Sequence, residues 1–223
     1  VKEYVGSLQD RGCKPTYAND MLKAVKCLCS YAQREGYSEE VLTKRVRNVK
    51  QPKVLIHTFS SKEISLMIKY YNANDYLSIR NKMILMIFFD TGIRVSELIN
   101  IRGQDVSLVT PKSITIHGKG GKVRYVAIVK QLAPILEHFL NENKCLLPQN
   151  LTNPIFTNHS QKQFTRQGIN QRLKTYVAKA RESSPLLVSA DFSPHKIRHS
   201  TAMALMEEGT ELIIVRDLLG HES

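Results

Sequence analysis

The sequence predicts a mainly α-helical protein carrying one small β-hairpin or sheet, and three observations support that expectation. Long stretches repeat apolar residues at the three-and-four spacing of an amphipathic helix. One region, Ser113 to Ile128, instead alternates β-branched and polar residues on either side of a glycine-rich centre. Capping and turn residues, notably Gly36, Pro52, Gly92 and Ser193-Pro194, divide the chain at the ends of these runs.

Taken in order, Val1 to Asp10 reads as a first helix, followed by a turn at Gly12 to Pro15. A long amphipathic helix from Tyr17 to Arg34 is closed by Gly36, and Met21, Val25, Leu28 and Ala32 form the stripe expected to face its core. A third, short helix is expected over Glu39 to Arg47. Asn48 to His57, with Pro52 between Lys50 and Lys53, reads as a linker. The expected organisation is a helical domain at residues 1–50, a linker at 51–58 and a second domain at 59–223.

Ser60 and Ser61 followed by Glu63 form a helix-start signature for the second domain, with Ile64, Met67 and Ile68 as its apolar face. A helix from about Ile79 to Phe89 should stop at Thr91-Gly92, with another following from Val95 to Ile101. Ser113 to His117 and Val123 to Ile128 then pair as a β-hairpin through Gly118 to Lys122. The remainder is mainly helical, with Ser193 as N-cap, Pro194 in the first turn and Gly209 as a stop. There is no internal repeat and no low-complexity tract.

Composition narrows the partners. With 223 residues, 42% apolar, the chain can bury a substantial core. No apolar run approaches the roughly 18 residues of a membrane span, so a soluble protein is expected. No charged-then-apolar leader is present, and Cys13, Cys27, Cys29 and Cys145 show neither a C-x-x-C pair nor zinc spacing. Those features suit a cytoplasmic protein with reduced thiols. The 32 Lys and Arg outnumber the 20 Asp and Glu, giving a net charge of +12 that favours a polyanion, nucleic acid foremost. The charge is also uneven: Val106 to Leu136 holds five basic residues and no acid, and Asn143 to Arg181 holds seven and no acid. Such runs suit a surface that follows a phosphate backbone.

Five residues stand out chemically. Arg94 lies at the start of a helix, where a cation opposes the positive end of the helix dipole and invites an anion; the plainer reading is a surface pair with Glu97. His195 and Arg198 are three apart on one helix, which sets a proton carrier beside a phosphate clamp, although His195 alone could serve as a capping residue. His199 sits four beyond His195, but Lys196 stands where a zinc-protease helix needs glutamate. Lys119 occupies a glycine-flanked hairpin tip, either reaching toward a phosphate or simply solvated. Ile116 and Val123 break the phosphate-binding loop pattern of an NTPase around it. His221 follows Leu218-Leu219-Gly220, just past a helix end. Two arginines, a lysine and two histidines without an acidic metal cluster describe phosphoryl transfer that needs no metal or other cofactor.

Thr91 to Leu98, the Gly118 to Lys122 hairpin, His195 to Arg198 and Leu218 to His221 together resemble, in order and spacing, the motifs of the tyrosine recombinases, or phage-type integrases. The resemblance implies a helical core-binding domain in residues 1–50 and a mixed α+β catalytic domain in 59–223. It further implies site-specific strand exchange on double-stranded DNA through a 3′-phosphotyrosine intermediate, by a tetramer on paired sites that is monomeric off DNA. In that scheme Arg94 and Arg198 clamp the non-bridging oxygens, Lys119 protonates the leaving 5′-oxygen and His195 serves as acid and base. His221 binds the phosphate, and Glu97 supports the site from behind. All nine tyrosines, the last being Tyr176, precede His195, whereas the family's nucleophile follows the position of His221. A fragment trimmed at both ends, able to bind DNA and not to cleave it, is therefore expected. A non-catalytic DNA-binding regulator on the same fold and a type IB topoisomerase are the alternatives.

Overall fold

The computed structural model describes residues 1–52, 58–70, 76–184 and 192–220. It resolves into two compact units, Val1–Leu55 and Ile56–Ser223.

The first unit is built on two helices, α1 (Lys2–Asp10) and α2 (Pro15–Arg34). Pro15 opens α2 at a position where its missing N–H costs nothing. Val5 and Leu8 of α1 and Ala18 and Leu22 of α2 are buried, so the stripe that packs is offset from the expected one. Leu28 is 66% exposed, and Met21 and Val25 are only half-buried. The reason is length: the nine residues of α1 cover only the N-terminal part of the twenty-residue α2. The third helix expected over Glu39 to Arg47 is a series of turns, held by Lys44 N donating to Val41 O and Val46 N to Thr43 O. Asn19 then anchors the outgoing segment, accepting from Val49 N at 2.7 Å and donating to Val49 O at 2.9 Å. The expected linker falls largely on residues 53–57, outside the described residues.

The second unit begins with α3 (Ser61–Tyr70), capped as expected: Ser60 N and Oγ both donate to Glu63 Oε2 at 2.8 Å. Its Ile64 and Met67 enter the core. Helix α4 (Tyr76–Thr91) is longer than expected at both ends and forms the centre of the unit. Met83 to Phe88 are all buried, which fits a helix that is apolar on every side. Arg80 shares this interior without being orphaned. It donates to Thr157 O at 2.7 Å and to Asn81 Oδ1 at 3.1 Å, and lies between the Tyr76 and Phe164 rings.

Gly92, at φ 58°, ends α4 and turns the chain into α5 (Val95–Leu98), a single turn rather than the longer helix expected through Ile101. The Asn100 side chain donates to Ser96 O there, competing with a further helical turn. Strands β1 (Val106–Ser107), β2 (Ser113–His117) and β3 (Val123–Ala127) form an antiparallel sheet in the order β1-β2-β3. The hairpin was legible beforehand; the two-residue β1 was not. The register pairs Ile114 with Val126 and Ile116 with Arg124, so Ile114, Ile116 and Val126 face the core. Helices α6 (Leu132–Glu142), α7 (Arg166–Ser183), α8 (Pro194–Glu207) and α9 (Leu212–Leu219) complete the unit. Ser193 caps α8 by accepting from Lys196 N, and α6, α7 and α8 all pack on α4. The result is the mainly helical fold with a small sheet that the sequence predicts.

A candidate phosphate-binding arginine cluster

Three loop and helix ends meet where α4 passes into α5. Arg94 is the N-cap of α5 and Glu97 its third residue. Glu97 Oε2 accepts from Arg94 N at 2.8 Å, and Oε1 accepts from Arg94 Nη1 at 2.9 Å. The other terminal nitrogen, Nη2, donates to Gly220 O at 2.8 Å. The plain surface pairing with Glu97 is therefore present, yet it does not use up Arg94, whose side chain remains 42% exposed.

Arg198 approaches from α8 and is only 5% exposed. Its guanidinium donates to Gly92 O at 2.5 Å and to Leu219 O. Burial, with the neighbouring charge of Arg94, brings this guanidinium down to about 10, still protonated at neutral pH. Arg94 and Arg198 thus reach adjacent carbonyls at the end of α9, those of Gly220 and Leu219. Gly92 lies close to the Leu219 side chain of α9: a Cβ there would lie 2.3 Å from Leu219 Cδ2, which would have to shift.

Sequence reasoning missed Arg124. On β3 it has the parity of buried Val126 and stands opposite buried Ile116, so its side chain points inward. There Nη1 donates to Glu97 Oε1 at 3.1 Å and Nη2 to Glu97 Oε2 at 2.8 Å. The signal was available, because an arginine on the apolar parity of a strand demands a buried acidic partner. Burial pushes the Glu97 carboxyl up, but hydrogen bonds from Arg124 and Arg94 outweigh it and hold the group below its ordinary value. Arg94 and Arg124 share the one carboxylate and Arg198 lies within its field, so three guanidiniums stand against one anion, an excess of two positive charges.

His195 lies on α8 one turn before Arg198, with its exposed Nε2 3.2 Å from Nε2 of His199. Burial first, then the charges of His195 and Arg198, lower the His199 imidazole below its ordinary value. Gly118 to Lys122 forms the hairpin tip as expected, with the backbone of Lys119 in a short 3-10 turn; the Lys119 side chain and His221 lie outside what is described. Among the described residues, no group of three or more His, Cys, Asp or Glu side chains could hold a metal ion. No helix among them is long and apolar enough to cross a membrane.

Residues 57–223 match the model of the phage integrase family, and the chain belongs to that family. Its curated relatives include the tyrosine recombinase XerD of Staphylococcus haemolyticus, 29% identical over 222 residues that make up 99% of this chain and 73% of the relative. XerD of Vibrio cholerae is 30% identical, over 99% of this chain and 72% of the relative. Among solved structures, the post-cleavage complex of the XerH site-specific recombinase with palindromic difH substrate superposes with a TM-score of 0.80 at 22% identity. That match covers 99% of this chain and 64% of the other, so the chain spans under two thirds of XerH. The Tn1549 transposon integrase in complex with circular intermediate DNA gives a TM-score of 0.78 at 14% identity, covering all of this chain and 76% of the integrase. At such identities these structures establish the shared fold.

Proposed function

We propose that this chain forms the DNA-binding and phosphate-activating body of a site-specific recombinase acting through a 3′-phosphotyrosine intermediate. The observation that carries the reading is the convergence of Arg94 and Arg198 on the adjacent carbonyls of Gly220 and Leu219, in a cluster with an excess of two positive charges. A phosphodiester carries one negative charge and its pentacoordinate transition state two, so the cluster stabilises the transition state more than the ground state.

In the reaction, a tyrosine oxygen attacks phosphorus while the bond to the 5′-oxygen breaks. Arg94 and Arg198 hold the non-bridging oxygens, and His221 donates a further hydrogen bond to the phosphate. His195 accepts the tyrosine proton, and Lys119 delivers a proton to the leaving 5′-oxygen. Glu97 holds Arg94 from behind. None of the nine tyrosines follows His221, the position that the family resemblance gives the attacking residue. Tyr176 is buried with its hydroxyl donating to Met67 O at 2.9 Å, and Tyr125 occupies the outward parity of β3, opposite to Arg124.

Residues 1–50 serve as the core-binding domain and 59–223 as the catalytic domain. The partner is double-stranded DNA in the cytoplasm, bound by a tetramer on paired sites that is monomeric off DNA. The test is recombination by the native gene product between two copies of its own element end on a supercoiled plasmid, in EDTA and without nucleotide. Recombinant circles are the expected product. Binding without rearrangement would favour a non-catalytic regulator, and relaxation without exchange a topoisomerase.

A further inference from the structure

Glu97 is used symmetrically. Each of its two carboxylate oxygens accepts one hydrogen bond from Arg94 and one from Arg124: Oε1 from the two Nη1 atoms, Oε2 from Arg94 N and Arg124 Nη2. The carboxylate is 4% exposed and the Arg124 side chain 18%, so neither is free to exchange partners with solvent. Were Arg94 the only cation on Glu97, the pair would be neutral and the charge of Arg94 would be cancelled where a phosphate needs it. Arg124 supplies the compensating charge from the opposite side. Its guanidinium also lies against Gly220, where a Cβ would meet Nη1 at 3.3 Å, so it borders the residue whose carbonyl Arg94 reaches. The Nε atom of Arg124 is buried with no hydrogen-bond partner, an unfavourable placement that the bidentate pair with Glu97 must outweigh.

We propose that Arg124 is a positioning residue for strand transfer: it neutralises and immobilises Glu97, so that Arg94 meets the scissile phosphate with its full charge. This rests on the reading of Arg94 as a phosphate clamp. Arg124 acts through Glu97 and Arg94, not by contact with the phosphate. The alternative is a purely mechanical link between β3 and α5.

The two roles separate by charge. Native gene product is mixed with half-site suicide DNA carrying a normal phosphodiester or a neutral methylphosphonate at the scissile position, and covalent adduct formation is timed. On the phosphodiester, Arg124→Ala should slow adduct formation by about 100-fold, the scale of a misplaced catalytic group. On the methylphosphonate, which carries no charge for Arg94 to meet, the losses in Arg124→Ala and Arg94→Ala should both shrink to within about 10-fold of wild type. Glu97→Gln added to Arg124→Ala removes the carboxylate charge that Arg124 offsets, and should recover at least about 10-fold on the phosphodiester. This double variant also serves if Arg124→Ala alone does not fold. Equal losses on both linkages, or no recovery by Glu97→Gln, would overturn the positioning role. Absence of adduct with wild-type protein on either DNA would overturn the strand-transfer reading and this inference with it.

Discussion

Arg124 and Glu97 meet as a parallel two-bond pair, Nη1 to Oε1 at 3.1 Å and Nη2 to Oε2 at 2.8 Å, which joins strand β3 to the turn of helix that begins at Arg94. Breaking a buried pair from one side leaves an uncompensated charge, which costs about 3–5 kcal/mol. Glu97→Ala strands the largely buried Arg124 and is expected to lower unfolding free energy by that amount in urea titrations. Glu97→Gln, which keeps one acceptor oxygen, should cost less. A loss below about 1 kcal/mol for Glu97→Ala, the range of exposed pairs, would show that the pair does not hold the two elements together.

Asp90 lies in the last turn of α4, with Oδ2 buried and without a hydrogen-bond partner. Burial raises its carboxyl from 3.8 to about 6. A carboxyl raised in the folded state binds its proton more tightly there than in the unfolded chain. Its contribution is therefore full below about 4 and is lost as pH rises through about 6. A shift of this size is about 3 kcal/mol in full, and about 1–2 kcal/mol after discounting for partial exposure. Asp90→Asn should raise Tm at pH 8 and do little at pH 4. An equal effect at both values would contradict the burial account.

His199 gives the opposite sign. Its imidazole is lowered by burial and then by the charges of His195 and Arg198. Stability from the neutral ring is present above its unfolded value of 6.5 and is lost as pH falls through the lowered folded value. The Cε1 proton of His199, followed by NMR, should titrate below 6.5 and move upward in His195→Gln, which removes one of the opposing charges. A His199 midpoint unchanged by that substitution would show that the two rings are not coupled at their 3.2 Å separation.

Tyr176 is expected to be structural. Its hydroxyl donates to Met67 O across the α3 and α7 packing. Tyr176→Phe should cost about 1 kcal/mol, the usual worth of such a bond, and leave adduct formation by the native gene product intact. Loss of the adduct without loss of stability would make Tyr176 part of the chemistry.

The helices that were readable in advance carried redundant local signals. Ser60 with Glu63, and Ser193 with Pro194, state both where a helix begins and which atoms are capped. The failures came where tertiary packing decides. The stripe through Leu28 has good helical spacing, but α1 reaches only the Ala18 and Leu22 end of α2, so periodicity alone chose the wrong face. The expected helix at Glu39 to Arg47 is a run of turns, and just beyond it Asn19, far away in sequence, holds the backbone at Val49. Arg94, Glu97 and Arg198 were legible because each sits in a compact motif. Arg124 was not, since its meaning lies in strand parity and in a carboxylate on another element.

In the proposed reaction Arg94 and Arg198 act together on one phosphate. The most direct measurement incubates native gene product, Arg94→Ala and Arg198→Ala with a suicide duplex from its own element end, in EDTA, and quantifies covalent protein-DNA adduct. The account predicts an adduct with wild type and a loss of about 100- to 1,000-fold in each variant, with DNA still bound. An adduct that persists at the wild-type rate in either variant, or bound DNA with no adduct in wild type, would contradict it.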